Sequence, residues 1–131
     1  MSIRSPLLLL AALLLFAGVQ FGVVPQAAAH GEAKPRFGGV VKAAQEISFE
    51  LVAAAPGGAQ IYMDDHGELM ATTGITGKLT IVGKEARKEV PLVSDGKKLT
   101  AAGATPVSGD RVVVVVVLPS QQTISVRYAI P

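Results

Sequence analysis

The run Met63-Asp64-Asp65-His66-Gly67-Glu68, with Met70 two residues further on, gathers one imidazole, carboxylates and two thioethers into a short stretch. Imidazole takes borderline ions such as Cu(II), Zn(II) and Ni(II), whereas thioether sulfur favours Cu(I). A Gly67 turn would let its two flanking strands bring Asp64 and His66 toward one point. The plain alternative needs no metal: Met63 and Ile61 fill a core, Asp64 and Asp65 form an Asx-type turn, and His66 is a solvated loop residue. The metal reading gains weight because the chain holds only 2 histidines, and the other is His30.

His30 matters because of what precedes it. Met1 to Arg4 carries one positive charge, and no further charge follows from Ser5 to Ala29. Leu-rich to Leu15 and apolar to Val24, the segment then gives way to Pro25-Gln26-Ala27-Ala28-Ala29. Basic, apolar and small residues in that order are the layout of a cleaved secretory signal peptide. The apolar stretch is also near the length that crosses a bilayer, so an uncleaved anchor is the alternative. A cut after Ala29 gives a signal peptide over 1–29 and leaves His30 first in the chain, with a free amine beside its imidazole. The two nitrogens chelate Cu(II) together once deprotonated, and His66 would add a third toward the tetragonal set that Cu(II) prefers. A cut after Ala27 would instead leave Ala28-Ala29-His30, whose amine, amides and imidazole could wrap Cu(II) or Ni(II).

Composition excludes several function classes. There are 12 basic and 10 acidic side chains and no cysteine, so disulfides and thiolate metal sites are absent. Once Arg4 is removed the charge is near zero and forms no basic stripe, which argues against nucleic acid as a partner. No Gly-x-Ser-x-Gly elbow or Gly-Lys-Ser/Thr phosphate loop occurs. Adjacent Asp64 and Asp65 on a strand would face opposite ways. The chain is expected to be a binder, not an enzyme, with no membrane association after cleavage.

The elements that must position these residues are short. His30 to Arg36 is polar and reads as part of a flexible arm over 30–37. Beyond it Gly and Pro recur too often for stable helices, and the apolar residues alternate as in strands. Ile47, Phe49 and Leu51 alternate with Ser48 and Glu50, and Ile124, Val126 and Tyr128 with Ser125 and Arg127. Val112 to Leu118 is apolar on both faces, which places it at the centre of a sheet. Seven to nine such strands in one domain over 38–131 predict an all-β fold, an antiparallel two-sheet immunoglobulin-like β-sandwich, with a small barrel as the alternative.

The stretches His30 to Val41, Ile47 to Val52 and Ile61 to Gly67 resemble a group of small periplasmic proteins of Gram-negative bacteria associated with heavy-metal and copper handling. The group's pattern is His-Gly, then Pro-x-His-Gly-Gly-Val, a Glu-Leu-Val strand and an Asp-His-Gly turn. The resemblance implies a periplasmic protein that binds copper, or alternatively zinc or nickel, and sequesters it or passes it to an envelope efflux or metal-transfer protein. An amino-terminal His also resembles periplasmic copper-resistance β-sandwich proteins in architecture. Phe37 departs from the pattern, standing where the group has His. Any site must then draw on His30, His66, Asp64, Glu32 and Met63, with Glu50 a further carboxylate. The competing expectation is a non-catalytic interaction module of the cell envelope without metal.

Overall fold

The computed structural model describes residues 33–131. The expected signal peptide over residues 1–29, His30 and Glu32 lie outside them. Nine strands and no helix make up the described chain: β1 (Val40–Ala44), β2 (Ile47–Val52), β3 (Gly58–Asp65), β4 (Glu68–Leu69), β5 (Thr76–Val82), β6 (Arg87–Ser94), β7 (Leu99–Ala102), β8 (Arg111–Val117) and β9 (Thr123–Ala129).

All pairings are antiparallel, and they run in the order β1-β2-β3-β7-β6-β5-β8-β9, with β4 paired to the end of β3. Strand β6 turns the corner. Residues Arg87 to Leu92 pair with β5, while Val93 and Ser94 pair with β7. The path curls until β1 and β9 lie close together without a hydrogen-bonded ladder. The antiparallel all-β class expected from the sequence is present, and its form is a nearly closed, barrel-like sheet.

The alternation read from the sequence decides which side chains fill the interior. Phe49 and Leu51 of β2, Ile61 and Met63 of β3, Leu79 of β5 and Leu99 of β7 are buried in one core with Val112, Val114 and Val116. Strand β8 is central, as its composition predicts, with β5 on one side and β9 on the other. Its second face is only half-buried: Val113, Val115 and Val117 look outward, and among the described residues no further layer covers them. β-branched residues suit this position because they pack well on a pleated surface.

The β6–β7 connection is fixed by one side chain. Asp95 accepts hydrogen bonds from the backbone N–H groups of Lys97 and Lys98 and pairs with the Lys98 ammonium at 3.0 Å. Those backbone donors, Lys98 first, and then the Lys98 side chain hold the Asp95 carboxyl well below the usual carboxylate range. A depressed carboxyl stabilises the fold above its unfolded-state pKa of about 3.9 and loses that contribution as pH falls through its folded value.

Where β1 and β9 approach without pairing, Tyr128 spans the interior. Its hydroxyl donates to the Phe49 carbonyl at 2.8 Å in a buried bond that joins β9 to β2. Replacing Tyr128 with Phe keeps the ring and removes this donor. Chemical denaturation should show a loss of about 1.5 kcal/mol, the cost of stranding a buried acceptor.

Candidate functional site

Strand register explains how the Asp-His-Gly turn forms. Asp65 pairs with Glu68, which leaves His66 and Gly67 as a two-residue hairpin loop. Both have positive φ, 52° and 92°, the geometry of a type I′ turn. Glycine adopts it freely, and His tolerates the left-handed region better than bulkier or β-branched residues do. Asp64 Oδ1 accepts a hydrogen bond from the Gly67 N–H at 2.7 Å and so ties the turn to its own strand.

The β1–β2 hairpin ends beside it. Ala44 pairs with Ile47, leaving Gln45 and Glu46 as another two-residue loop with φ of 50° and 69°. No glycine marks this turn, so residue types alone do not reveal it. Ser48 of β2 pairs with Asp64 of β3 on the outer face. Between the two turns lies an open cleft of about 310 Å³ lined by Ala33, Glu46, Ser48, Asp64, His66 and Gly67.

The chain enters this region across the outer face of β2 and β3. Ala33 N–H donates to Ser48 Oγ at 3.3 Å. Glu50 is the main anchor. Its side chain points away from the core, yet the residue is only 6% exposed, because residues 36–39 cover it. Glu50 Oε2 accepts from the Arg36 N–H at 2.9 Å, and Oε1 accepts from the N–H groups of Phe37 and Gly39 at 2.8 and 2.9 Å. The Gly38-Gly39 pair makes this contact geometrically available. Gly38 has φ of 75°, and a Cβ at position 39 would collide with the Leu51 carbonyl oxygen and sit 2.9 Å from Glu50 Cγ.

Arg36 completes the attachment. Its guanidinium donates to the Gly67 carbonyl and lies 2.9 Å from Asp64 Oδ2. That carboxylate oxygen is buried and has no hydrogen-bond partner among the described residues. The short distance nevertheless puts a full positive charge against it, so Coulomb attraction compensates a burial that directional bonding does not. Phe37 turns the other way and stacks on Tyr62, with centroids 3.7 Å apart and planes at 14°.

The residues expected to bind metal are therefore divided. Asp64 and His66 line one cleft. Met63 does not join them: it is fully buried in the core, on the face opposite Asp64, because adjacent strand residues alternate. Glu50, the further carboxylate, is engaged by three backbone donors. His30 and Glu32 lie outside the described residues. Among the described residues no three His, Asp or Glu side chains converge as a metal-holding group. His66 Nδ1 contacts Asp65 Oδ1, and its side chain is 67% exposed. A carboxylate on one ring nitrogen is an arrangement that orients a histidine.

Sequence reasoning missed Arg36, Glu46 and Ser48. Only the Ser48–Asp64 register could have pointed to them, and that register depends on where the β1–β2 hairpin turns.

The anchoring role of Glu50 predicts a graded response. Glu50→Ala strands three arm N–H groups and should cost about 3 kcal/mol, with Glu50→Gln costing about half as much because one acceptor oxygen survives. Hydrogen exchange checks the location: the amides of Arg36, Phe37 and Gly39 should lose protection while that of Val114 keeps it.

Against protein-family models, curated proteins and solved structures alike, the chain has no match.

Proposed function

We propose that the chain is an exported metal-binding protein, with Cu(II) the leading ion, held by the amine and imidazole of His30 together with the imidazole of His66. The single observation that carries this reading is that Ala33 lines the same cleft as His66. Two residues, Gly31 and Glu32, lie between His30 and Ala33, and the three Cα steps reach about 10 Å when extended, which would put an amino terminus at His30 within range of that imidazole.

The chemistry of the cleft supports the same choice. His66 offers a nitrogen donor oriented by Asp65, and nitrogen donors suit Cu(II), Zn(II) and Ni(II). Asp64 is held by Arg36 and the Gly67 N–H and would act mainly by lowering the local potential. Glu32 belongs to the proposed set as a carboxylate near His30. The periplasmic location, the signal peptide over residues 1–29, and transfer of the ion to an efflux partner are parts of this proposal. So is the likeness to the immunoglobulin-like copper-resistance sandwiches, in which an amino-terminal His ligates Cu(II).

A second reading, an envelope interaction module without metal, is favoured by a different surface. Phe37 and Leu69 are 40% and 47% exposed and flank a groove of about 400 Å³ whose rim carries Lys97 and Lys98. It differs from the first in needing neither histidine. Partner capture that survives both His30→Ala and His66→Ala would favour it.

Amino-terminal sequencing of the exported protein should return His30 first. Titration of that processed chain with Cu(II) should then give a dissociation constant of about 1 μM or tighter. Affinity should fall on acidification, because amine and imidazole bind only when deprotonated. His30→Ala and His66→Ala should each weaken binding by at least about tenfold, close to 1.4 kcal/mol. Binding that ignores both substitutions would overturn the proposal.

A further inference from the structure

A second concave surface lies at the seam where β1 and β9 approach. An open cleft of about 520 Å³ is lined there by Lys42, Arg111 and Arg127, with Val82, Val113 and Ala129 among its apolar walls. Each cation comes from a different strand: Lys42 from β1, Arg111 from β8 and Arg127 from β9. All three are exposed. Among the described residues no carboxylate lines the cleft, and none of the three cations forms a salt bridge.

Several cations elsewhere on this molecule are paired one by one. Lys78 and Arg87 meet Glu89, Lys98 meets Asp95, Arg36 meets Asp64, and Lys88 donates to the Gly103 carbonyl. At the seam like charges are instead gathered. Arg111 is opposite Ala129 and Arg127 opposite Val113, so the two guanidinium groups share a face as diagonal cross-strand neighbours.

Charges on edge strands discourage unwanted pairing between molecules, which accounts for Lys42 and Arg127. It does not account for Arg111, because β8 is flanked by β5 and β9 and has no free edge. Two guanidinium forks and an ammonium around one cleft match the oxygens of a phosphate group, which guanidinium binds in bidentate fashion. The cleft is larger than a bare phosphate needs, and its valine and alanine walls suit an apolar portion attached to it.

We propose that this seam binds the phosphate group of a phosphorylated ligand through Arg111, Arg127 and Lys42. It is independent of the metal reading, since it shares no residue with the His66 cleft. The phosphate could belong to a soluble phosphorylated molecule or to a lipid headgroup, and the test separates the two.

The purified chain is titrated with inorganic phosphate and glycerol 3-phosphate while backbone amide shifts are followed by NMR. In parallel it is sedimented with phosphatidylglycerol vesicles and with neutral phosphatidylcholine vesicles. Saturable shifts confined to the neighbourhood of residues 42, 111 and 127 identify a soluble ligand. Selective sedimentation with phosphatidylglycerol identifies a lipid headgroup. Arg111→Gln combined with Arg127→Gln should weaken whichever binding occurs by at least about tenfold. Lys84→Gln combined with Lys97→Gln removes the same charge from turns outside the cleft and should change it less than about twofold. Absence of saturable binding in both arms, or equal loss in the two double variants, overturns the proposal.

Discussion

Glu50 presents a carboxylate on the outer face of β2, where alternation would leave it in water, and the chain folds back to cover it. Three backbone N–H groups from residues 36–39 then take the place of solvent. A buried carboxylate is tolerable only when its oxygens are satisfied, so the arm and the carboxylate hold each other in position. Much else on this face follows from that contact. It brings Arg36 to Asp64, sets the Phe37 ring on Tyr62, and carries Ala33 to Ser48.

The same attachment gives the cleft its character. Without it, Asp64 would be a buried carboxylate lacking a counter-charge, and the turn at His66 would have no chain leading to it. With it, Ala33 lines the same cleft as an imidazole that contacts Asp65. Arg36 also settles which groups remain for a ligand, because it occupies both Asp64 and the Gly67 carbonyl. In the proposed metal site the cleft would contribute the His66 imidazole, with the Glu46 carboxylate also on its wall, and nitrogen donors suit Cu(II).

The barrel wall was legible where one residue type repeats with period two. Phe49 and Leu51, the β8 valines, and Ile124, Val126 and Tyr128 all face inward as their alternation requires. The His66-Gly67 turn was legible because Gly67 marks it. Met63 carries a thioether suited to metal chemistry, but its parity with Ile61 puts it in the core. Glu50 could not be read correctly either. Its partners are backbone amides 11–14 residues away, and side-chain identity carries no record of such contacts. The Gln45-Glu46 turn was hidden for a related reason: strand pairing imposes positive φ there on residues that do not advertise it. The curl that brings β1 beside β9, and with it the grouping of Lys42, Arg111 and Arg127, depends on long-range strand order, which local patterns leave open.

The proposed site shares one ion between the amino-terminal residue and His66, whose cleft is also lined by Ala33. Pulsed electron paramagnetic resonance of the processed chain loaded with one equivalent of Cu(II) addresses it directly, because remote imidazole nitrogens modulate the echo and can be counted. Two equatorial imidazoles, reduced to one in His66→Ala, is the result expected. A single imidazole in the unsubstituted chain, unchanged by His66→Ala, would contradict the account.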